Sequence, residues 1–513
     1  MAFMYEFPHT SNFDSDLREI IELYFTVKNL PKTWENYKQM MDSEFAELKN
    51  FVNNYFDNLD VQNEINNKLD SMLNDGLIGY VTPEMYGAVG DGVADDTVAV
   101  RAAFNSVKGI ILLSNKYRIT SKIDINKDNL TIIGGKLVLD DATAEEFILD
   151  IMGSDILIDS VIFEHVEYVN ALNNNSQNGI RLSYCNRVTI NNCDFIAKNT
   201  AINGILDFYN DWKNVTIDNS RFVIDTYFND KYHAGGVWIR DFYKTATCEN
   251  LIISNCVFNS KSLDEILAIW STVGGIKNVN ISNCQFTGEQ MPHMVTVCAD
   301  NVDINGCAFY SKAINTILKC FFDDAVAKNI FVHGCQFYDT LEREDPSFYS
   351  IRQSTNGKTN VADCVFDGYS FGSILCEFSN CFIKTTSNKS INYGSKFYGC
   401  KIENVQTANS FVNSSTTFLN CIIKTLGQFI QSITDGATYY ICGNFIQCED
   451  SLFLIGSVDS LKVIMNNNFY GTSAPNFYAT IKDSDIVMCN RFAISPNQNN
   501  SNLPKGWDTN VIG

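Results

Sequence analysis

The side chains with the most chemistry to offer gather between residues 204 and 271. Asp207, Asp211 and Asp241 are carboxylates able to donate or accept a proton, and Trp212, Trp238, Arg240 and Trp270 stand near them in the chain. Aromatic rings beside carboxylates suit a sugar, because rings pack on its apolar face while acids bond its hydroxyls. The segments GILDF (204–208), GVWIRDF (236–242) and ILAIWS (266–271) each alternate apolar and polar residues, which marks a strand with one buried face. Aligning them on Leu206, Ile239 and Ile269 as inward residues sets Asp207, Arg240 and Trp270 in one exposed column, with Trp238 beside it. The three aspartates are the candidate catalytic residues; Trp212, Trp238, Arg240 and Trp270 are the candidate carbohydrate contacts. The competing assignment is a surface ion pair between Asp207 and Arg240, with the tryptophans as contacts between subunits.

Other reactive residue types read as structural. Asp91, Asp95 and Asp96 are dense enough to suggest catalysis, but they flank a glycine-rich loop and the start of an amphipathic helix, where carboxylates close turns and cap N–H groups. His165, His293 and His333 share no metal-ligand spacing, and the 17 cysteines include no CxxC pair. No metal and no cofactor is expected.

The elements that must carry these residues repeat. From residue 129 onward the chain returns to one pattern in about 15 copies, among them VTINNCDF (188–195), LIISNCVF (251–258), VNISNCQF (279–286) and VDINGCAF (302–309). Each copy is an alternating strand, a corner at Asn or Gly, and Cys-x-Phe. Asn and Gly tolerate the left-handed backbone of a sharp corner. Cys193, Cys256, Cys284, Cys307, Cys335, Cys364, Cys381, Cys400 and Cys421 fill one slot after it, as a small apolar group stacked coil on coil would. The Asn residues before the slot are placed to hydrogen-bond from coil to coil. Each repeat holds at least two short strands and no helix, and no proline falls between Pro83 and Pro292. The fold class is therefore all-β, a right-handed parallel β-helix of about 15 coils.

Four regions follow: 1–76, 77–128, 129–495 and 496–513. Residues 14–30 and 33–76 read as amphipathic helices; the second has a heptad-like stripe from Trp34 to Leu59 that calls for a partner from another chain. Residues 77–128 hold the loop, a capping helix and first strands, and 496–513 form a polar tail. The formal charge of −21 disfavours nucleic acid and anionic membranes. There is no apolar run of the ~20 residues a membrane span needs, and MAFMYEFPHTSNFDSD lacks the pattern of a signal peptide, so assembly in a cytoplasm is expected.

The stretch VTPEMYGAVGDGVADDTVAVRAAF (81–104), with Tyr86-Gly87-Ala88, Gly90-Asp91-Gly92 and Asp95-Asp96-Thr97, and the segment Asn115-Lys116-Tyr117-Arg118-Ile119 resemble the start of pectate-lyase-like β-helix proteins of the phage tailspike and pre-neck appendage type. With the repeats, the resemblance covers roughly 81–492. It implies a homotrimeric virion protein, joined to other tail or collar proteins through residues 1–76 and directed at host cell-surface glycan. That family includes binding proteins, hydrolases and lyases. Neither a polygalacturonase-type acid cluster nor a lyase-type calcium site is evident, so the expectation is attachment, with depolymerase activity as the alternative.

Overall fold

The computed structural model describes residues 79–492 and 511–512, apart from 107–108, 141–146, 166–177, 199–203, 210, 226–234, 242–247, 262–264, 272–274, 290, 323–324, 342–347, 354–356, 387–390, 405–414, 427–429, 433–437, 449–452, 456–460 and 471–485. The expected stem and nearly all of the expected tail lie outside the described residues.

Each full turn of the chain makes three strands rather than the minimum of two. One turn runs through Gly204–Tyr209, Lys213–Asp218 and Arg221–Asp225, and the next through Gly235–Asp241, Cys248–Ser254 and Val257–Lys261. The first, second and third strands each pair with their counterparts one turn on. Among the described residues every strand pair is parallel except the small hairpin Phe321–Phe322 with Ala325–Val326. All fifteen sequence copies, from Leu130–Ile133 to Ile486–Met488, supply successive rungs of the second ladder. This is the expected parallel β-helix.

The corner between second and third strands works as its sequence implies. Asn192, Asn219, Asn255 and Asn283 have φ of 52, 47, 53 and 52°, and Gly306 and Gly334 take over at 60 and 61°. The nine slot cysteines follow, all buried and none joined in a disulfide. A thiol fits because its weak polarity is satisfied within the wall: Cys307 donates to the carbonyls of Ile281 (3.6 Å) and Asn305 (3.4 Å), while its sulfur accepts the Cys284 N–H at 3.5 Å. Past Cys421 the slot passes to Asn444, Asn467 and Asn490, whose amides do the same work more strongly. Asn444 Oδ1 accepts the Cys421 N–H at 2.7 Å and its Nδ2 donates to the Phe418 carbonyl at 3.0 Å. Two residues after each slot Phe195, Phe222, Phe258, Phe286, Phe309, Phe337 and Phe366 stack inside with centroids 4.6–5.0 Å apart, the rise of the coil itself.

Outside, the expected amide contacts between coils occur at Asn219, whose Nδ2 donates to Asn192 Oδ1 at 3.3 Å. A longer ladder that the repeat pattern did not single out runs along the preceding corner. There Asn214, Asn250, Asn278, Asn301 and Asn329 each donate to the Asn one coil earlier at 2.7–3.3 Å, starting from Asn186.

The opening of the coil is closed by the helix Thr97–Phe104, whose Val100, Ala103 and Phe104 are buried on the first rungs. The acidic residues around it are structural. Asp91 accepts the Val93 and Ala94 N–H groups, and Asp95 accepts the N–H and hydroxyl of Thr97. Asp96 makes no side-chain cap; it reaches back to the N–H groups of Val89 (2.7 Å) and Gly90 (3.2 Å) and pins the glycine-rich loop.

Candidate functional site

The outward face of the first ladder is the one that departs from the repeat. Its strands lack the Asn-corner consensus, and side chains at one position stack rung above rung about 4.8 Å apart. One column runs Asp124, Asp150, Arg181, Asp207, Trp238, Ala268, Thr296, Lys319 and Arg352. The column two residues along holds Met152, Ser183, Tyr209, Arg240 and Trp270.

This register corrects the alignment drawn from sequence. Leu206 pairs with Val237 and not with Ile239, so Asp207 lies beside Trp238, while Arg240 lies between Tyr209 and Trp270. Arg240 and Trp270 do share a column, as expected; Asp207 belongs to the neighbouring one.

Nor is Asp207 exposed. It is fully buried on the outer wall, between the rungs of Arg181 and Trp238. Trp238 and Trp270 are partly exposed. Asp211 is exposed at the corner after Gly204–Tyr209, with φ of 42°. Asp241 ends its strand opposite Ser271. Trp212 is the clear correction among the expected sugar contacts. Just past that corner its indole turns into the coil, fully buried, with its ring centroid 6.4 Å from that of Phe208 in an edge-on contact. An inward Trp cannot stack on a sugar outside, so its part is packing.

Several charged neighbours on this face were not singled out from sequence. Asp150, 3% exposed, receives a forked contact from Arg181 Nε (3.0 Å) and Nη2, with Lys122 Nζ 3.4 Å away. The Arg181 guanidinium also lies 5.9 Å from the Tyr209 ring centroid. Asp150 and Asp207 are therefore two rungs apart, about 9.5 Å by strand spacing, with a guanidinium between. Further along, Glu265 Oε1 accepts the Thr296 hydroxyl at 2.7 Å, both residues buried. The available signal was the alternation in 179–183, which continues the first strands back before residue 204. Among the described residues no group of His, Cys, Asp and Glu is arranged to hold a metal ion.

The face can thus offer a long ligand rigidly spaced aromatic and charged groups. Its two most central carboxylates, however, are sealed from water as they stand. His333 is paired, its Nε2 2.9 Å from Asp303 Oδ1 on the second ladder, whereas buried His165 Nε2 has no hydrogen-bond partner.

No family model matches the chain. A capsule K30/K69-specific depolymerase of Klebsiella phage K5-2 is 60% identical over 35 residues, which is 7% of this chain and 4% of that protein. Among solved structures, a mutant tailspike protein of E. coli bacteriophage HK620 in complex with a pentasaccharide gives a TM-score of 0.51 at 10% identity, covering 77% of this chain and 79% of that one. ORF18 of Geobacillus virus E2 gives 0.47 at 20% identity, over 66% of this chain and 64% of that one. The chain thus spans under two thirds of ORF18 and a small fraction of the depolymerase. What the HK620 likeness establishes is the fold, the β-helix of a phage tailspike.

Proposed function

We propose that this chain is a phage tailspike or appendage protein that attaches the virion to host cell-surface polysaccharide, through the outward face of the first ladder. The observation that carries the proposal is the column from Arg181 to Arg352, where Trp238, flanked by Tyr209 and Trp270 in the next column, stands at fixed spacing among mostly polar and charged residues. A glycan lying along the coil axis would meet a ring or a charge on every rung or two. Partners follow from the same reading: a homotrimer, and other tail or collar proteins held through residues 1–76. Support for self-association comes from Ile422 (54% exposed) and Phe445 (41%), which sit in one column of the third ladder, with Tyr470 stacked on Phe445 at 4.6 Å. Exposed apolar residues in a row mark a contact surface.

The alternative is a depolymerase on the same scaffold. The 35-residue likeness to a capsule depolymerase favours it, as does the two-rung separation of Asp150 and Asp207, near the upper limit for inverting glycosidases. Their burial, and the Arg181 contact that occupies Asp150, argue against it.

One experiment separates the readings. Purified protein is incubated with bacterial surface polysaccharides, and both retention and new reducing or unsaturated ends are measured. Attachment predicts retention without cleavage, weakened by Trp238→Ala and Trp270→Ala while thermal melting stays unchanged. New ends that vanish in Asp207→Asn would establish the depolymerase. Full retention by both tryptophan variants would remove this face from consideration.

A further inference from the structure

Among the described residues, arginines on this acidic chain are mostly spoken for: Arg118, Arg181, Arg187 and Arg221 each have an aspartate partner. Arg352 is different. Half-buried on the outward face of the first ladder, it has no carboxylate within salt-bridge distance among the described residues; its contacts are aromatic. The guanidinium carbon lies 5.2 Å from the Tyr349 ring centroid and 5.2 Å from that of Phe321. One rung below, Lys319 is in register with it, and its Nζ is 5.2 Å from the same Phe321 ring. Two cations on successive rungs, about 4.8 Å apart along the coil, repel. The fold nevertheless places them against one aromatic ring, and it builds that ring with a special device. Phe321 opens the only antiparallel hairpin among the described residues, and the hairpin packs back against His293–Val297 and Glu265–Ser271. The rungs on either side add no charge to this column, since Thr296 precedes Lys319 and Ile374 follows Arg352.

We propose that Lys319, Phe321, Tyr349 and Arg352 form a subsite for a carboxylate-bearing sugar residue, a uronic acid or a pyruvate ketal, within a polysaccharide. This rests on the polysaccharide-binding reading of the same face and adds the ligand's charge class to it. Contact with both rings restrains the guanidinium, which favours bidentate contact with a carboxylate when the ligand arrives. Lys319 supplies a second, less directional charge to the same anion. Phe321 and Tyr349 add apolar surface for the sugar ring, and Phe321 gives both cations one aromatic face.

The test uses the full chain on a glycan array. Acidic bacterial polysaccharides are printed beside their carboxyl-reduced, neutral forms. The wild type is expected to bind one or more acidic members and to lose roughly 10- to 100-fold in affinity for the reduced form. Arg352→Ala should show the same loss toward the acidic form, and Arg352→Lys a smaller one, while melting stays at the wild-type temperature. If the reduced forms bind as well as the acidic ones, or Arg352→Ala binds as the wild type does, the subsite is refuted and the glycan reading survives. If the wild type binds no glycan of either form, both fall.

Discussion

His165 offers a sharp test of how the coil handles a misfit. The imidazole points into the wall at the end of Ile162–His165, 4% exposed, on a rung between Leu139 and Ala197, and its Nε2 meets no hydrogen-bond partner. A Cβ on Gly179 would come within 2.8 Å of that nitrogen, so the space beside it is already closed. Burial pushes the imidazole down from 6.5 to about 3. The sign follows from proton counts. Between those two values the unfolded chain holds a proton that the folded chain refuses, so the stability present above pH 6.5 is lost as pH falls toward 3. The loss works out at about 2 kcal/mol by pH 5 and grows by about 1.4 kcal/mol per further unit. The assay is denaturant unfolding of wild type and His165→Leu at pH 7.5, 6, 5 and 4.5. A leucine of similar bulk carries no proton in either state. The variant should be at least as stable at pH 7.5 and should gain on the wild type by about 2 kcal/mol at pH 5. Parallel pH curves for the two proteins would refute the buried, neutral histidine.

Thiol labelling without denaturant should modify exposed Cys489 first and Cys442 next. The wall thiols should lag far behind, because they are buried, and burial pushes Cys193 and Cys320 up to about 12; rapid loss of the Cys256, Cys284 or Cys307 thiols, read by peptide mass, would contradict the inward slot. Asn283→Ala should cost about 1 kcal/mol and Asn283→Gly only a few tenths, because φ is 52° and only the Cβ is penalised there; equal unfolding midpoints would show that the corner is not strained. Arg181→Ala should destabilise by about 3 kcal/mol by leaving buried Asp150 with Lys122 alone, and adding Asp150→Asn should recover most of it; independent, additive losses in the double-mutant cycle would sink that account. Removing residues 1–76 should weaken assembly in sedimentation and leave the far-ultraviolet β signal intact, since each coil is buried against its neighbours.

Short-range patterns carried most of the fold. Alternation gave the second-ladder strands at all fifteen copies, and Asn or Gly before Cys marked the left-handed corners, because both signals are local and are repeated on every turn. The ladder from Asn186 to Asn329 passed unnoticed because its corner precedes each copy, outside the Cys-x-Phe pattern that defined the repeat. The site was much less legible. Trp212 looked like a surface ring because it sits among polar residues, yet the turn after Asp211 rolls it inward, and no periodicity spans such a corner. Asp207 was correctly placed on the outer face, but its burial depends on the neighbouring rungs of Arg181 and Trp238, 26 and 31 residues away in the chain.

Within the strands the sequence by itself determined which side chains face in and which face out, since that depends only on a period of two. Only the tertiary structure decided which outward residues meet. Sliding one first-ladder strand by two residues keeps every apolar side chain inside, so hydrophobic pattern cannot distinguish Leu206 against Ile239 from Leu206 against Val237. The register of the parallel ladder makes that choice, and with it sets Asp207 beside Trp238 and Lys319 beneath Arg352.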